Sequence, residues 1–131
     1  MKDFPKNVKT VLIDTNAWMA IGELKIDLFS ELEKCCDFPV QIATLEGTLR
    51  ELQKIQEEQR GKFKRFAKLA LDLIKAKKVE VFPHSTGNVD ELLVDYSHGG
   101  FLVLTSDAAL KKKLQRPYLT IRQGKMIVMI R

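Results

Sequence analysis

The chain has 131 residues, with 22 lysines and arginines against 17 aspartates and glutamates, which gives a formal charge of +5 at pH 7. This length suits one domain and is too short for two ordinary ones, so we expect residues 1–131 to form a single domain. The chain has no run of about 18 uncharged apolar residues, and its first residues lack the apolar core of a secretion signal, which predicts a soluble, cytoplasmic protein.

The first predicted strand covers Thr10 to Ile13 and is followed by an acid, Asp14. Its three consecutive aliphatic residues are typical of a central parallel strand that is covered on both faces. Thr15 or Asn16 is then expected to cap a helix from Ala17 to Leu24. Ligands of open α/β sheets bind at the carboxyl ends of the strands, so Asp14 is a candidate site residue. The alternative is that it only caps the helix.

A second short helix is predicted from Asp27 to Cys36 and contains the only two cysteines of the chain. Cys35 and Cys36 are adjacent, which disfavours a disulfide between them and does not match the spacing of zinc ligands. We therefore expect two structural thiols in a reducing compartment.

The second predicted strand, Val40 to Ala43, leads into a long helix from Thr44 to about Gln59. Glu51 lies about two turns into this helix and is expected to lean over the edge of the sheet. Glu46 is the competing candidate. It stands four residues before Arg50, however, and an ion pair within the helix explains it without any chemistry.

The next predicted helix, Lys62 to Lys77, has apolar residues such as Phe63 at helical spacing and basic residues between them. The segment from Arg60 to Lys78 holds eight basic residues and one acid, a net +7, so the rest of the chain carries −2. A cationic helix beside a set of acids suits an enzyme that acts on a polyanion, whereas the alternative is an ordinary solvated helix face. The basic residues that we expect to contact a polyanion are Lys62, Lys64, Arg65 and Lys68, with Lys111 and Lys112 as a second group.

The third predicted strand, Val79 to Phe82, is followed by a loop, His84 to Gly87. Asn88 is expected to cap a helix that runs to about Ser97. Asp90 opens this helix and is a further candidate site residue. Its alternative role is that of a first-turn acid that is favourable to the helix dipole.

The fourth predicted strand, Phe101 to Thr105, repeats the design of the first, because Asp107 follows it and opens a helix from Ala108 to Gln115. The fifth strand is Tyr118 to Arg122, and a glycine turn leads from it into an edge hairpin strand, Lys125 to Ile130. Strands that alternate with helices imply an α/β fold: a three-layer α/β/α sandwich with a central five-stranded parallel sheet and a C-terminal edge hairpin.

The order of these acids resembles that of the PIN-domain ribonucleases, and the chain looks most similar to compact archaeal members related to the PIN nucleases of ribosome biogenesis. The resemblance covers nearly the whole chain and rests on Asp14 in Asp-Thr-Asn, Glu51 in Arg-Glu-Leu, Asp90 in Val-Asp-Glu-Leu-Leu and Asp107 in Leu-Thr-Ser-Asp. The family often has Ala at the position of Val89 and Asn at the position of Ser106, but both changes keep the acids.

The resemblance implies an endoribonuclease that depends on Mg²⁺ or Mn²⁺, with four acids as catalytic residues and metal ligands: Asp14, Glu51, Asp90 and Asp107. Carboxylates about 4 Å apart repel by roughly 4 kcal/mol per pair at an effective dielectric near 20, so such a cluster needs protons or cations. Hard oxygen ligands favour Mg²⁺ or Mn²⁺. The residues expected to support the acids are Thr15, Asn16, Thr105 and Ser106. The implied substrate is RNA, single-stranded or structured, in ribosomal RNA processing or in toxin-type cleavage.

Two unrelated classes of enzyme fit the sequence less well. A receiver-like phosphoacceptor would have paired acids after its first strand, and an aspartate-nucleophile phosphatase would have a second Asp in place of Asn16. The alternative that stays open is a non-catalytic RNA-binding or assembly module with the same fold, because an acid cluster can persist for structural reasons. The resembling family often forms homodimers, and a wide apolar helix face would allow this chain to pair with a second copy.

Overall fold

The computed structural model describes residues 8–84 and 87–131, and within them six strands and six helices alternate along most of the chain. In chain order they are β1 (Lys9–Ile13), α1 (Thr15–Glu23), α2 (Leu28–Cys35), β2 (Val40–Leu45), α3 (Glu46–Glu58), α4 (Lys62–Ala76), β3 (Glu80–Phe82), α5 (Val89–His98), β4 (Leu102–Leu104), α6 (Ala108–Lys111), β5 (Tyr118–Arg122) and β6 (Met126–Ile130). None of these helices is long and apolar enough to cross a membrane. Two residues of the predicted loop before Gly87, Ser85 and Thr86, lie outside the described residues.

The strands form one sheet in the order β3-β2-β1-β4-β5-β6, in which the first five are parallel and β6 pairs antiparallel with β5. This confirms the predicted five-stranded parallel sheet with a C-terminal edge hairpin. The chain moves outward from β1 through β2 to β3 and then returns to place β4 on the other side of β1. The strand order therefore reverses between β1 and β4. Ligands of open α/β sheets bind beside such a reversal, at the carboxyl ends of the strands.

Helices cover both faces of the sheet, because successive side chains of the central strand alternate between two buried clusters. In β1, Val11 and Ile13 belong to the larger cluster, which α1 to α4 cover with side chains such as Trp18. Leu12 belongs to the smaller cluster, together with Leu93 of α5. All five side chains are at most 1% exposed. The result is the predicted three-layer arrangement, with the carboxyl end of β1 at its centre.

The start of α1 differs from the prediction. The helix begins at Thr15, two residues earlier than predicted, and its N-cap is Asp14 rather than Thr15 or Asn16. The side chain of Asp14 accepts a hydrogen bond from the backbone N–H of Thr15 (2.8 Å), which satisfies one of the donors left unpaired at a helix start. The predicted start at Ala17 was therefore wrong, because the acid at the end of the strand itself serves as the cap.

The junction between β2 and α3 also differs from the prediction, because Thr44 and Leu45 are strand residues and do not start the helix. Thr44 and Leu45 pair with Val81 and Phe82 of β3. Thr44 and Leu45 are themselves at most 1% exposed. A β-branched residue such as Thr44 suits a strand better than a helix start. Glu51 therefore lies about one and a half turns into α3, rather than two.

The helix after β4 is much shorter than predicted, since α6 ends at Lys111 and not at Gln115. After this turn, the backbone N–H of Leu114 donates to the carbonyl of Lys111, only three residues back. The backbone N–H of Gln115 donates to the hydroxyl of Ser97 in α5 (2.8 Å) instead of continuing a helical ladder. The segment after Lys111 is thus held partly by a side chain of α5. The other predicted elements agree with the structure to within two residues.

The adjacent cysteines are free thiols, as the sequence predicts. The sulfur atoms of Cys35 and Cys36 lie 3.4 Å apart, well beyond the roughly 2.05 Å of a disulfide bond. Burial raises the pKa of Cys35 to about 12, so its thiol is protonated and a poor nucleophile at neutral pH.

Candidate active site

A concavity of about 390 Å³ opens beside the reversal of strand order, at the carboxyl ends of the central strands. The residues that line it are Asp14, Thr15, Asn16, Met19, Glu23, Glu51, Ile55, Phe63, Asp90 and Asp107. All four acids singled out in the sequence therefore face one space. Five of these described lining residues are acidic and none is basic, so the concavity has a negative potential.

Asp14 is the most buried of these acids, with 6% of its surface exposed. Its backbone N–H donates to the carbonyl of Leu104 (3.0 Å), which extends the pairing of β1 with β4 and holds the residue at the strand end. One carboxylate oxygen accepts from the backbone N–H of Thr15, and the other accepts from the hydroxyl of Thr105, each at 2.8 Å. The carboxylate of Asp14 thus has a defined orientation.

Burial is the main reason why the pKa of Asp14 is raised above its usual value. Its two hydrogen bonds favour the charged form and oppose this rise, whereas the negative charges of Asp90 and Glu51 add to it. The carboxyl groups of Asp14 at the end of β1, Glu51 in α3 and Asp90 in α5 therefore interact through space. A cation placed among them would favour the charged form of Asp14.

Thr105 connects the acids that follow the two central strands. It comes directly after β4, and its backbone N–H donates to the carbonyl of Leu119 in β5. Its hydroxyl donates to Asp14 (2.8 Å) and accepts from the backbone N–H of Asp107 (3.1 Å). Asp107 in turn caps α6, since its Oδ1 accepts from the backbone N–H of Leu110 (2.8 Å). One hydroxyl group therefore sets the position of Asp14 relative to Asp107.

Glu51, and not Glu46, is the acid of α3 that reaches the concavity. The hydroxyl of Thr15 donates to Glu51 Oε2 (2.7 Å) and so links α1 to α3. Glu46 instead pairs with Arg50, with 2.6 Å between Glu46 Oε1 and Arg50 Nη1. This is the ion pair that the spacing of the two residues predicts.

Asp90 enters the concavity from the first turn of α5, which packs on the other face of the sheet from α1 and α3. The cap of this helix is Asn88, as predicted, and its Oδ1 accepts from the backbone N–H groups of Asp90 (2.8 Å) and Glu91 (3.4 Å). The first-turn position of Asp90 also suits the helix dipole. Asp90 is therefore both a first-turn acid that suits the helix dipole and a residue that lines the concavity.

Asn16 and Ser106 join the two segments that carry Asp14 and Asp107. The side-chain oxygen of Asn16 accepts from the backbone N–H of Ser106 (3.3 Å), so Ser106 contributes its main chain. Glu23 is an acid of the concavity that was not singled out in the sequence. It shares one face of α1 with Asn16 and Met19, and this helical spacing was the signal that could have identified it.

The donors in the concavity suit a hard divalent cation, because all of its charged groups are carboxylates. Within residues 8–84 and 87–131, no three acidic, histidine or cysteine side chains lie close enough together to ligate one ion. Carboxylates without a counter-ion repel one another, and every acid of the concavity except Asp14 is an exposed side chain. Of these, Glu51 and Asp107 each accept a hydrogen bond that a change of rotamer would break. The residues thus fit a metal ion by their chemistry, and a complete ligand shell requires movement of the exposed acids.

Replacing Thr105 by valine is expected to lower the free energy of unfolding by about 1–3 kcal/mol. Valine keeps the shape of threonine but removes the hydroxyl, so Asp14 loses a donor and the backbone N–H of Asp107 loses an acceptor. Thr120→Val is the control, because the buried hydroxyl of Thr120 has no hydrogen-bond partner among the described residues. Urea denaturation measures both variants. Equal stabilities would contradict a structural role for the Thr105 hydroxyl.

The basic residues that were predicted to contact a polyanion are not among the residues that line the concavity. The four on α4, all exposed, are Lys62, Lys64, Arg65 and Lys68. Lys64 donates to a backbone carbonyl of α3 (2.8 Å), and Lys68 pairs with Asp72 (2.9 Å). Lys111 and Lys112 line a separate recess of about 340 Å³ beside α6. None of these basic side chains therefore lines the acidic concavity.

A mostly parallel sheet in this strand order, with a carboxylate cluster at the carboxyl ends of its central strands, defines the PIN class of α/β proteins. The chain belongs to the PIN-like domain family, which matches residues 11–124. Nucleases of this family generally use divalent metal ions. The resemblance noted in the sequence is thereby confirmed.

Solved structures agree with this assignment. The PIN domain endonuclease Utp24 matches with a TM-score of 0.75 and 26% sequence identity, over 93% of this chain and 91% of that chain. A domain of a functionally unknown protein from Methanocaldococcus jannaschii DSM 2661 matches with a TM-score of 0.53 and 16% identity, over 88% of this chain and 94% of that chain, which shows a similar fold alone. No curated protein matches the chain significantly.

Proposed function

We propose that this protein is a divalent-metal-dependent endoribonuclease that cleaves phosphodiester bonds of RNA. The observation that carries the proposal is that four acids converge on one concavity. Among the residues that the structure describes there, none is a lysine, arginine or histidine. Such a site repels phosphate by itself, so an RNA backbone can reach it only after cations have neutralised the acids. Membership of the PIN-like domain family and similarity to the endonuclease Utp24 support the same activity.

The ligands that would hold Mg²⁺ or Mn²⁺ are Asp14, Glu51, Asp90 and Asp107. When bound, such an ion polarises the phosphate and acidifies water at neutral pH. Asp14 is the fixed member of the set, since both of its oxygens accept hydrogen bonds. Thr15 contacts two of the acids, because its backbone N–H donates to Asp14 and its hydroxyl donates to Glu51. Thr15 therefore orients the two carboxylates relative to each other.

A non-catalytic RNA-binding module is the second candidate, and one observation favours it. Across the described ranges, no three of the acidic, histidine or cysteine side chains lie within reach of a single ion. In such a module the acids would keep only structural duties, as when Asp14 and Asp107 cap α1 and α6. The two candidates differ in one measurable property, which is the dependence of RNA cleavage on metal.

For the substrate we propose ribosomal RNA, the class implied by the resemblance of the chain to PIN nucleases of ribosome biogenesis. Cleavage of other cellular RNA by a toxin-type enzyme is the alternative. Sequencing of the newly formed ends in total RNA treated with the protein distinguishes the two. The homodimer considered from the sequence stays a prediction.

Protein freed of metal with EDTA is expected to leave a labelled single-stranded RNA intact, and added Mn²⁺ or Mg²⁺ is expected to start cleavage. Products resolved on a denaturing gel distinguish internal cuts from the removal of terminal nucleotides. Cleavage that does not require a divalent ion would contradict the proposal. RNA that is bound but stays intact with either ion would support the non-catalytic module instead.

A further inference from the structure

Phe63 belongs by its spacing to the apolar face of its helix, but 45% of its surface is exposed. The residue lies in the first turn of α4, outside both buried clusters, and its ring lines the concavity together with Met19 and Ile55. Phe63 therefore has the helical spacing of the apolar residues of α4 but is not a core residue. The concavity contains apolar as well as acidic side chains.

The ring of Phe63 is held in place although much of it is exposed. The rings of Phe63 and Phe66 lie at a right angle to each other, with 6.4 Å between their centroids. Phe66 packs in turn on Gly22 of α1, where a Cβ atom would lie only 2.6 Å from Phe66 Cδ1. Lys62 Nζ lies 5.5 Å from the centroid of the Phe63 ring, which is a cation–π distance. An aromatic ring with a lysine beside it thus lies at the border of the concavity.

We propose that Phe63 is a positioning residue that stacks on a nucleobase next to the cleaved phosphodiester bond, an inference that rests on the proposed ribonuclease function. A nucleotide joins a flat aromatic base to a charged phosphate, and the concavity places an aromatic ring and a set of carboxylates around one space. Lys62 adds a positive charge beside the ring, which suits the next phosphate of the strand. A base that stacks on Phe63 has to leave its own helix, so the strand is unpaired at this point.

Other exposed apolar side chains do not share this location. Leu24, Leu69 and Met126 are the other large hydrophobic residues with substantial exposure in the described part of the chain, and none of them lines the concavity. Single exposed apolar residues are common on protein surfaces and need no special role. Phe63 differs from the other three because it is aromatic, has a lysine over its ring and faces the candidate catalytic acids.

The test measures kcat/KM, in the presence of Mn²⁺, for short single-stranded RNAs from which one base at a time is missing. In the wild-type protein, loss of the base next to the cleaved bond is expected to lower kcat/KM about tenfold, within the roughly 5- to 150-fold range of base–aromatic stacking. Phe63→Leu is expected to lower kcat/KM on intact RNA by about the same factor. The kcat/KM of this variant should then be the same whether or not the base next to the cleaved bond is present. Phe63→Trp keeps an aromatic face and should keep the sensitivity. Leu69→Ala, at an exposed position of the same helix, should behave as the wild type.

The stacking role would be overturned if removal of the base lowered kcat/KM by the same factor in Phe63→Leu and in the wild type. The proposed ribonuclease function would then stand, because the intact RNA is still cleaved. If the wild-type protein cleaves no intact RNA with Mn²⁺, both proposals fail together. The scan therefore separates failure of the positioning role from failure of the activity.

Discussion

Replacing Asp107 by asparagine is expected to slow RNA cleavage at least about 100-fold, which corresponds to roughly 3 kcal/mol of transition-state stabilisation. Asparagine removes a negative charge that the proposed divalent ion would require. It remains a good N-cap, because its side-chain oxygen can still accept from the backbone N–H of Leu110. We therefore expect α6 to stay folded. RNA affinity should persist or rise, since one charge that repels phosphate is gone.

Asp27 provides a matched control for this substitution. It caps α2 in the same manner, with the backbone N–H of Ser30 as donor (3.2 Å), but it does not line the concavity. Asp27→Asn should cleave RNA at the wild-type rate. Single-turnover cleavage and filter binding at one Mn²⁺ concentration measure both variants. An equal loss of binding and cleavage in Asp107→Asn would show that Asp107 serves the fold and not the reaction.

The second large effect is expected on RNA affinity, when Lys62 and Arg65 are both replaced by glutamine. Both side chains are exposed near the start of α4, and neither forms an ion pair with another described residue. For single strands the slope of log K against log salt is about −0.7 per phosphate contact. The loss of two contacts should therefore reduce its magnitude by roughly 1.4, and the affinity at 0.1 M salt by roughly 25-fold.

The opposite end of α4 supplies the control for this charge change. Lys75 is exposed there, about 20 Å along the helix from Lys62, and Lys78 is exposed just beyond the helix end. Their replacement by glutamine removes the same charge. Salt titrations of RNA binding should give the wild-type slope for this control. Equal slopes for the two double variants would place the RNA elsewhere, with Lys111 and Lys112 as the next candidates.

The strand ends and their acids could be predicted because their signals are local in the sequence. A run of aliphatic residues followed by an acid marks the end of β1, and a similar run marks the end of β4. Asp14 and Asp107 could therefore be located without any knowledge of the other elements. The choice of Glu51 over Glu46 was also local, because Arg50 stands at the spacing of an ion pair.

The features that could not be predicted depend on contacts between residues distant in the chain. The hydroxyl of Thr105 contacts Asp14 across 91 positions. Likewise, the backbone N–H of Gln115, predicted to be the last residue of the helix after β4, donates to Ser97 of α5. Phe63 has the spacing of a buried residue but lies outside the core. Spacing indicates which residues share a face of a helix, but it does not indicate what lies opposite that face.

Asp14 and Asp107 each cap a helix as well as line the concavity, which has a consequence for how relatives of this chain evolve. Selection for stability alone would keep a capping side chain at both positions in a descendant that had lost its chemistry, and aspartate is one of the residues that serve as such a cap. Glu51 caps no helix, and its exposed carboxylate accepts from the hydroxyl of Thr15, so it would drift once cleavage no longer mattered. Among relatives, the glutamate of α3 is therefore a better mark of a surviving enzyme than the aspartates that follow the strands.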